Sequence, residues 1–456
     1  MREVGEIFIE PADAYRIEEQ TEWAKMFDGT KIYNTRVKDG KKEDCKPLVP
    51  IASVISEINA DLLFGEFPDF DFQNEAQTKA VVDTLPNRFI TEIIETATFL
   101  SAIGRMFCVF YKMQDKIYWK WVQSDICLWE ESERGLEEFT IIASKKVKDK
   151  FTIYELQEYD YKYNEELFTS PFDDQIRSVF IYRYSVKVDN ATGEIKAIID
   201  FQEPELLPWK VLPVLYVDNT KNINQNIGKS DYQRKEGLFG AVDRRIDQIN
   251  AVLEEHSDPW IALPPGVLNK NGQFDRSKGK MFEKTSTGNN DEISVTQWDA
   301  RLDNAYEMID KLIEMILFTT RISPALAGYT KGGIAESGRA LKWRMVSTIA
   351  MVNRKRRYWD DFFYAFFEML KLISPDYAAI DPLKLIVRWK DGLPVDLETI
   401  TQDITSQVQS KLMSRLKGIE TLQELDEEKA RLELVQIDEE SRSDAEIQAS
   451  SSGIQI

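Results

Sequence analysis

The sequence predicts an α+β fold in which a strand-rich middle is framed by helices. Three observations predict it. Apolar residues recur at helical spacing in two stretches before residue 105. From 105 to 218 the chain is dominated by short aromatic and β-branched runs. Beyond 228, two helical segments flank a non-periodic stretch, and a longer helix follows.

The elements follow in order. VPIASVISEINADLLFGEF (49–67) reads as a helix ended by Gly65 and Pro68, and NRFITEIIETATFLSAIG (87–104) as one ended by Gly104. MFCVFYK, KIYWKWV, CLWEE, EFTIIASKKV, KFTIYELQEY and SVFIYRYSVKV read as antiparallel strands, with a turn at Asp-Asn-Ala-Thr-Gly (189–193). LFGAVDRRIDQINAVLEE (238–255) puts Leu238, Val242, Ile246, Ile249 and Leu253 on one helical face, and Asp258-Pro259 ends it. PWIALPPGV, KGKMFEK and EISVTQW, with Asn-Gly, Lys-Gly and Thr-Gly turns between them, predict a small β-rich insertion.

A second helix is expected from an Asp299 N-cap to about Thr320. Leu302, Ala305, Ile309, Leu312 and Ile316 follow the 3-4-3-4 spacing of a helix packed along another. A long helix is expected from Ser337 to about Ser374, on the order of 55 Å. Its second half carries Trp359, Phe362, Phe363, Phe366, Phe367 and Leu370 as a wide apolar face. The strand LKLIVRW (383–389), a turn at Asp391-Gly392 and helices over 396 to about 440 complete the chain, and SRSDAEIQASSSGIQI has the composition of disorder.

Bulk properties narrow the function. A chain of 456 residues suffices for two to four domains. No apolar run approaches the roughly 18–20 residues of a membrane helix, and MREVGEIFIEP lacks the layout of a secretory signal. Cys45, Cys108 and Cys127 are odd in number and far apart, with no disulfide or metal spacing, so a reducing, cytoplasmic origin is expected. The net charge, 58 − 78 = −20, argues against a surface that holds phosphate backbones. It is compatible with a protein that lets DNA pass. The single histidine, His256, sits at a predicted helix end, where a structural use is ordinary. No metal motif or acid/base pair is visible, and no cofactor is expected.

Three stretches are candidates for function. Gly333 to Ala340, within GYTKGGIAESGRALK (328–342), approaches the spacing of a phosphate-binding loop. A helix precedes it where a strand is needed, position 339 is Arg, and Ala340 cannot ligate a metal. Its glycines, Gly328, Gly332 and Gly333, instead suit a mobile connector between two long helices. Asp303, Glu307, Asp310 and Glu314, spaced +4, +3, +4, form one acidic stripe away from the apolar seam. The stripe reads as a solvated face or, if copies pack in a ring, as a lumen wall that repels DNA phosphates. Arg354-Lys355-Arg356-Arg357 wraps around a helix, which suits inter-helix or inter-subunit ion pairs better than DNA contact.

In this order the parts resemble the portal protein of tailed double-stranded-DNA bacteriophages, in particular the siphophage type. The resemblance rests on IGKSDYQRKEGLFGAVDRRIDQINAVLEEHSD, on ISPALAGYTKGGIAESGRALKWRMVSTIAMVNRKRRYWDDFF and on SRLKGIETLQELDEEKARLELVQIDEE, and covers roughly 225–440. It implies a non-enzymatic ring, usually of twelve subunits, at one capsid vertex. Residues 1–228 and 337–395 would form the wing, 229–256 and 299–321 the stem helices, and 257–298 the clip. Residues 322–336 would be the tunnel loop, 396–440 the crown, and 441–456 a tail without clear counterpart. The resemblance puts DNA contact on Tyr329, Thr330, Lys331, Gly332 and Gly333. It puts partner docking on Trp260, Ile261, Phe274, Lys278, Lys280 and Phe282. The implied partners are the terminase large subunit, head-completion or adaptor proteins, major capsid and scaffolding proteins, and double-stranded DNA passing without sequence preference, with no membrane. The location implied is the virion, after assembly in the host bacterial cytoplasm. A nucleotide-binding enzyme using 328–342 and a structural adaptor that handles no DNA remain the alternatives at this point.

Overall fold

A computed structural model of the chain describes residues 2–38, 41–45, 49–114, 116–132, 135–163, 177–222, 227–256, 260–263, 281–283, 294–296, 302–328, 343–390, 397–423, 425 and 427–452. The chain divides into two compact units, Met1–Thr330 with Met345–Gly392, and Lys331–Arg344 with Leu393–Ile456.

The first unit opens with α1 (Pro11–Phe27), whose proline occupies the first turn, where no backbone N–H is required. A hairpin, β1 (Asn34–Lys38) and β2 (Lys41–Cys45), leads to α2 (Ile51–Phe64), β3 (Asp69–Asp71), α3 (Glu75–Thr84) and α4 (Phe89–Ile103). Asn74 caps α3 by accepting from the backbone N–H groups of Ala76 and Gln77. The expected helices over 49–67 and 87–104 are α2 and α4, and α4 ends at Gly104 with φ +95°. Helix α1, the hairpin and β3 are not apparent from the spacing of apolar residues.

The expected strand region forms two antiparallel sheets. β4 (Arg105–Met113) lies between β5 (Lys116–Gln123) and β12 (Val214–Asp218). A meander of β6 (Cys127–Ser132), β7 (Gly135–Val147), β8 (Phe151–Tyr163), β9 (Arg177–Asp189) and β10 (Ile195–Ile199) makes the larger sheet, with β11 (Glu205–Leu206) added to β9. The predicted turn at 189–193 is present: Asp189 Oδ1 accepts from the N–H groups of Ala191 and Thr192, and Gly193 has φ +73°. The N-terminal residues lie along β10, with Gly5 N–H donating to the Ile195 carbonyl and Phe8 buried against the sheet.

After the short pair β13 (Lys221–Asn222) and β14 (Ile227–Gly228) comes α5 (Glu236–His256). β15 (Trp260–Leu263), β16 (Met281–Glu283) and β17 (Ser294–Thr296) form a three-stranded sheet in the order β16-β15-β17, a β-rich element between two helices as the sequence predicts. α6 (Asp303–Thr320) returns. It starts later than expected: Leu302 lies in the preceding turn, Asp299 is outside the described residues, and the helix is about 27 Å long. Leu253 also departs from expectation. It is 45% exposed, near the end of α5, while Phe239 is buried instead.

α7 (Val346–Ile373) is the described part of the long helix, and Ser337 lies outside the described residues. Its aromatic face is the centre of the unit. Trp359 meets Phe64 of α2 edge-on at 4.8 Å, Phe366 meets Phe89 of α4 and Trp119 of β5, and Phe363 and Phe367 close on Phe70 of β3. Edge-to-face pairs of this kind add about 0.5–1.5 kcal/mol each beyond area burial. β18 (Ile386–Arg388) then pairs with β3, tying residues 386–388 to 69–71.

The second unit contains α8 (Leu397–Gln409), α9 (Arg415–Gln423) and α10 (Glu427–Ser452). The disorder expected over 441–456 is not met to Ser452. That stretch keeps Ala445, Glu446, Ile447, Gln448 and Ala449, residues of good to moderate helix propensity, on the end of an already formed helix.

A close approach beside β14 gives a direct test. A Cβ on Gly228 would fall 2.0 Å from the Gly104 carbonyl oxygen and 2.7 Å from Asp218 Oδ1, whereas one on Gly237 would meet nothing within 4 Å. Gly228→Ala is expected to cost on the order of 1–3 kcal/mol. Gly237→Ala is expected to be neutral or stabilising by about 0.5–1 kcal/mol. Urea unfolding midpoints of the two variants check the contrast.

Candidate functional site

The helix pair α5–α6, and the turn that leads from α6 toward α7, carry the candidate site. On α6, Leu312, Ile316, Leu317 and Thr320 are buried in a core shared with Phe239 and Val242 of α5 and with α1 and α2. The opposite face carries the acidic stripe. Asp303 and Glu307 are exposed, and Asp310 and Glu314 are half-exposed. The +4, +3, +4 spacing thus puts the four on the side of α6 away from its buried residues. It does not reveal that Lys311 ion-pairs with Glu314 at 3.0 Å and so dilutes the stripe at that end.

α6 stops at Arg321, which adopts a left-handed conformation with φ 62°. The next residues are stitched to α7. Thr348 Oγ1 donates to the Arg321 carbonyl at 2.8 Å and accepts from the Ser323 N–H at 3.0 Å, and Ile322 is buried beside them. Gly328, with φ +68°, is the last described residue before the glycine-rich segment. Tyr329, Thr330, Lys331, Gly332 and Gly333 lie outside the described residues, as do Phe274, Lys278 and Lys280. Trp260 and Ile261 are on β15 and Phe282 is on β16, where Ala262 is the register partner of Phe282. His256 is the last residue of α5, as expected.

The basic run resolves into separate roles. Arg354 and Arg357 are exposed. Arg356 donates to the Lys390 carbonyl and stands 5.2 Å from the Trp389 ring centre. Lys355 is 2% exposed, and its ammonium contacts Asp231 Oδ2 at 2.5 Å. The same oxygen accepts from Ser101 Oγ of α4 at 2.6 Å and from Asn59 Nδ2 of α2 at 3.3 Å. Burial raises the Asp231 carboxyl pKa, but the Lys355 charge and the hydrogen bonds from Lys355 and Ser101 outweigh burial, and the group ends below the ordinary carboxylate range.

Asp231 belongs to the stretch Gly228-Lys-Ser-Asp-Tyr232. Its neighbours are equally committed. Tyr232 OH donates to the Ala52 carbonyl at 2.6 Å and meets Ser56 Oγ at 2.5 Å. Ser230 Oγ accepts from the Tyr232 N–H. Gly228 rests against Gly104 beside the buried pair of Arg105 and Asp218, a bidentate contact at 2.6 and 2.9 Å. The stretch thus joins the strand region to α5 and fixes where α5 starts.

Among the described residues no group of His, Cys, Asp and Glu could hold a metal ion, and no helix is long and apolar enough to cross a membrane.

A family model described as phage portal protein, SPP1 Gp6-like, matches residues 8–446. The chain belongs to this family of phage portal proteins. The match extends the resemblance from the 225–440 region to nearly the whole chain. A chain from a solved structure titled "Virion of native gene transfer agent (GTA) particle" shares the fold at TM-score 0.50 and 8% identity, over 89% of this chain and 93% of that one. No curated protein sequence matches. The α+β portal fold expected from sequence is therefore the fold of this chain, and its family is a structural one.

Breaking the buried pair is expected to be severe. Lys355→Met would leave Asp231 uncompensated and cost about 3–5 kcal/mol. Because the Asp231 pKa is lowered by folding, its contribution is present above the ordinary value of about 3.9. It is lost as pH falls from there toward the folded-state value. Asp231→Asn should flatten the stability profile below about pH 4, where wild type loses stability, as read by urea midpoints at stepped pH.

Proposed function

We propose that this portal chain is the subunit of a ring, of twelve copies as the family resemblance implies, at one vertex of a phage capsid. The ring is the channel through which the terminase packages DNA and through which DNA later leaves. The supporting observation is a two-helix element with an acidic face opposite its packed seam, followed by a segment whose root is stitched to the next helix. In a ring with α5 outward and α6 inward, Asp303, Glu307, Asp310 and Glu314 line the lumen. Phosphates then pass without binding, which also fits the net charge of −20.

The three-stranded sheet at the far end of α5 and α6 is proposed as the clip, which docks the terminase large subunit and later head-completion or adaptor proteins. Residues 329–333, with Lys331 as their cation, are proposed to touch passing DNA. The meander sheet and its helices form the wing, facing the major capsid and scaffolding proteins, and α8 to α10 form the crown. The chain supplies no catalytic group in this reading, and nucleotide hydrolysis belongs to the terminase. The protein ends in the virion, after assembly in the host bacterial cytoplasm.

Negative-stain electron microscopy with native mass spectrometry of the purified chain tests the ring. Rings with a central hole and a mass near twelve copies are expected; monomers at micromolar concentration would count against it. Two variants test the channel. Lys331→Glu should leave rings intact and lower DNA packaging, and unchanged packaging would remove Lys331 from the proposal. Glu307→Lys with Glu314→Lys should keep ring formation and raise retention of double-stranded DNA at low salt at least tenfold, measured by filter binding. Unchanged retention would place the stripe outside the lumen.

A further inference from the structure

Two apolar features on opposite flanks of α6 have no partner function in the reading above. One is a groove of about 390 Å³ between α5 and α6, lined by Ile249 and Val252 of α5 and by Ala305 and Met308 of α6, with Arg245 and Gln248 at its rim. Met308 is 44% exposed. The other is Tyr306, which is 51% exposed and stands two residues from Met308, about 200° round the helix. Seen down α6, the buried seam lies between these two flanks on one side and the acidic stripe lies between them on the other.

We propose that Tyr306 of one copy fills the α5–α6 groove of the next copy in the ring. The inference rests on the ring reading and names the contact that would close it. Two observations support it. A rotation about an axis along the helices leaves axial height unchanged, so a knob and its hole on neighbouring copies must sit at the same height. Tyr306 lies between Ala305 and Met308 in sequence, within about 3 Å along the axis of the groove wall. The charges also match. Arg245, exposed at the groove rim, carries the cation, and Asp303, one turn before Tyr306, is an exposed carboxylate beside the knob. The Tyr306 ring would enter the apolar groove while its hydroxyl and the Asp303 carboxylate reach the Arg245 guanidinium. The contact draws Asp303 to the edge of the lumen face and leaves Glu307, Asp310 and Glu314 on that face.

The test uses the full chain in a Cys45→Ser background. Val252→Cys with Tyr306→Cys places one thiol in the groove and one on the knob, on opposite sides of α6 within one copy. Mild oxidation should give a ladder of covalent multimers on denaturing gels, absent from either single variant. Separately, Arg245→Glu should lower the ring fraction about tenfold, and Asp303→Arg added to it should restore rings to within threefold of wild type. Rings visible by electron microscopy with neither a ladder nor charge-swap rescue would overturn this contact while leaving the ring standing. Absence of rings in the unmodified chain would instead overturn the ring reading.

Discussion

The ion pair between Asp231 and Lys355 is the contact on which the first unit depends. A buried pair adds little net stability, since desolvation offsets much of the attraction. Its role here is positional. The aromatic face of α7 is repetitive, with Phe362, Phe363, Phe366 and Phe367 recurring every three or four residues. Apolar packing alone would tolerate a helix displaced by one turn. Lys355 lies two turns beyond Thr348 on the same side of α7. Each residue has partners in only one axial position: Asp231 for the first, Arg321 and Ser323 for the second. Together they set the register in which Trp359 meets Phe64 and Phe366 meets Phe89.

That register reaches the candidate site through short links. Asp231 precedes α5 by five residues and is held by α2 and α4, so the start of α5 is set by the same charge that sets α7. α6 is then packed against α5, and its end is tied back to α7 by Thr348. The acidic stripe is thereby oriented by packing on the far side of its own helix. The four acids of the stripe are exposed or half-exposed on that side.

Much of this was legible in the sequence because it is periodic. The seam of α6, the stripe opposite it and the aromatic face of α7 are all set by helical spacing, and local chemistry marks the ends of α2 and α4. What was not legible depends on pairings far apart in the chain. Lys355 looks like one base among four until Asp231, 124 positions away, is brought beside it. β3 is three residues long and exists because β18 pairs with it. Nothing near Gly228 in the sequence shows why a glycine is needed there; the reason is Gly104, which lies against it. Asp299 offers a capping side chain and so points to an earlier start of α6, whereas Leu302 fills the N-cap position without a side-chain hydrogen bond. Helical propensity at the C-terminus was masked by the serines interspersed through it.

The stitch made by Thr348 has a further consequence for how such a chain can vary. With residues 321–323 held to residue 348, the two ends of the intervening stretch are already brought together. Closure entropy grows only logarithmically with length, at about 0.6 kcal/mol for each doubling. A change of length between the two ends would therefore cost little in closure entropy while the stitch itself is kept. In the proposed ring, the width left between copies could then be retuned by changing the length of that stretch alone, with the stitched scaffold kept unaltered.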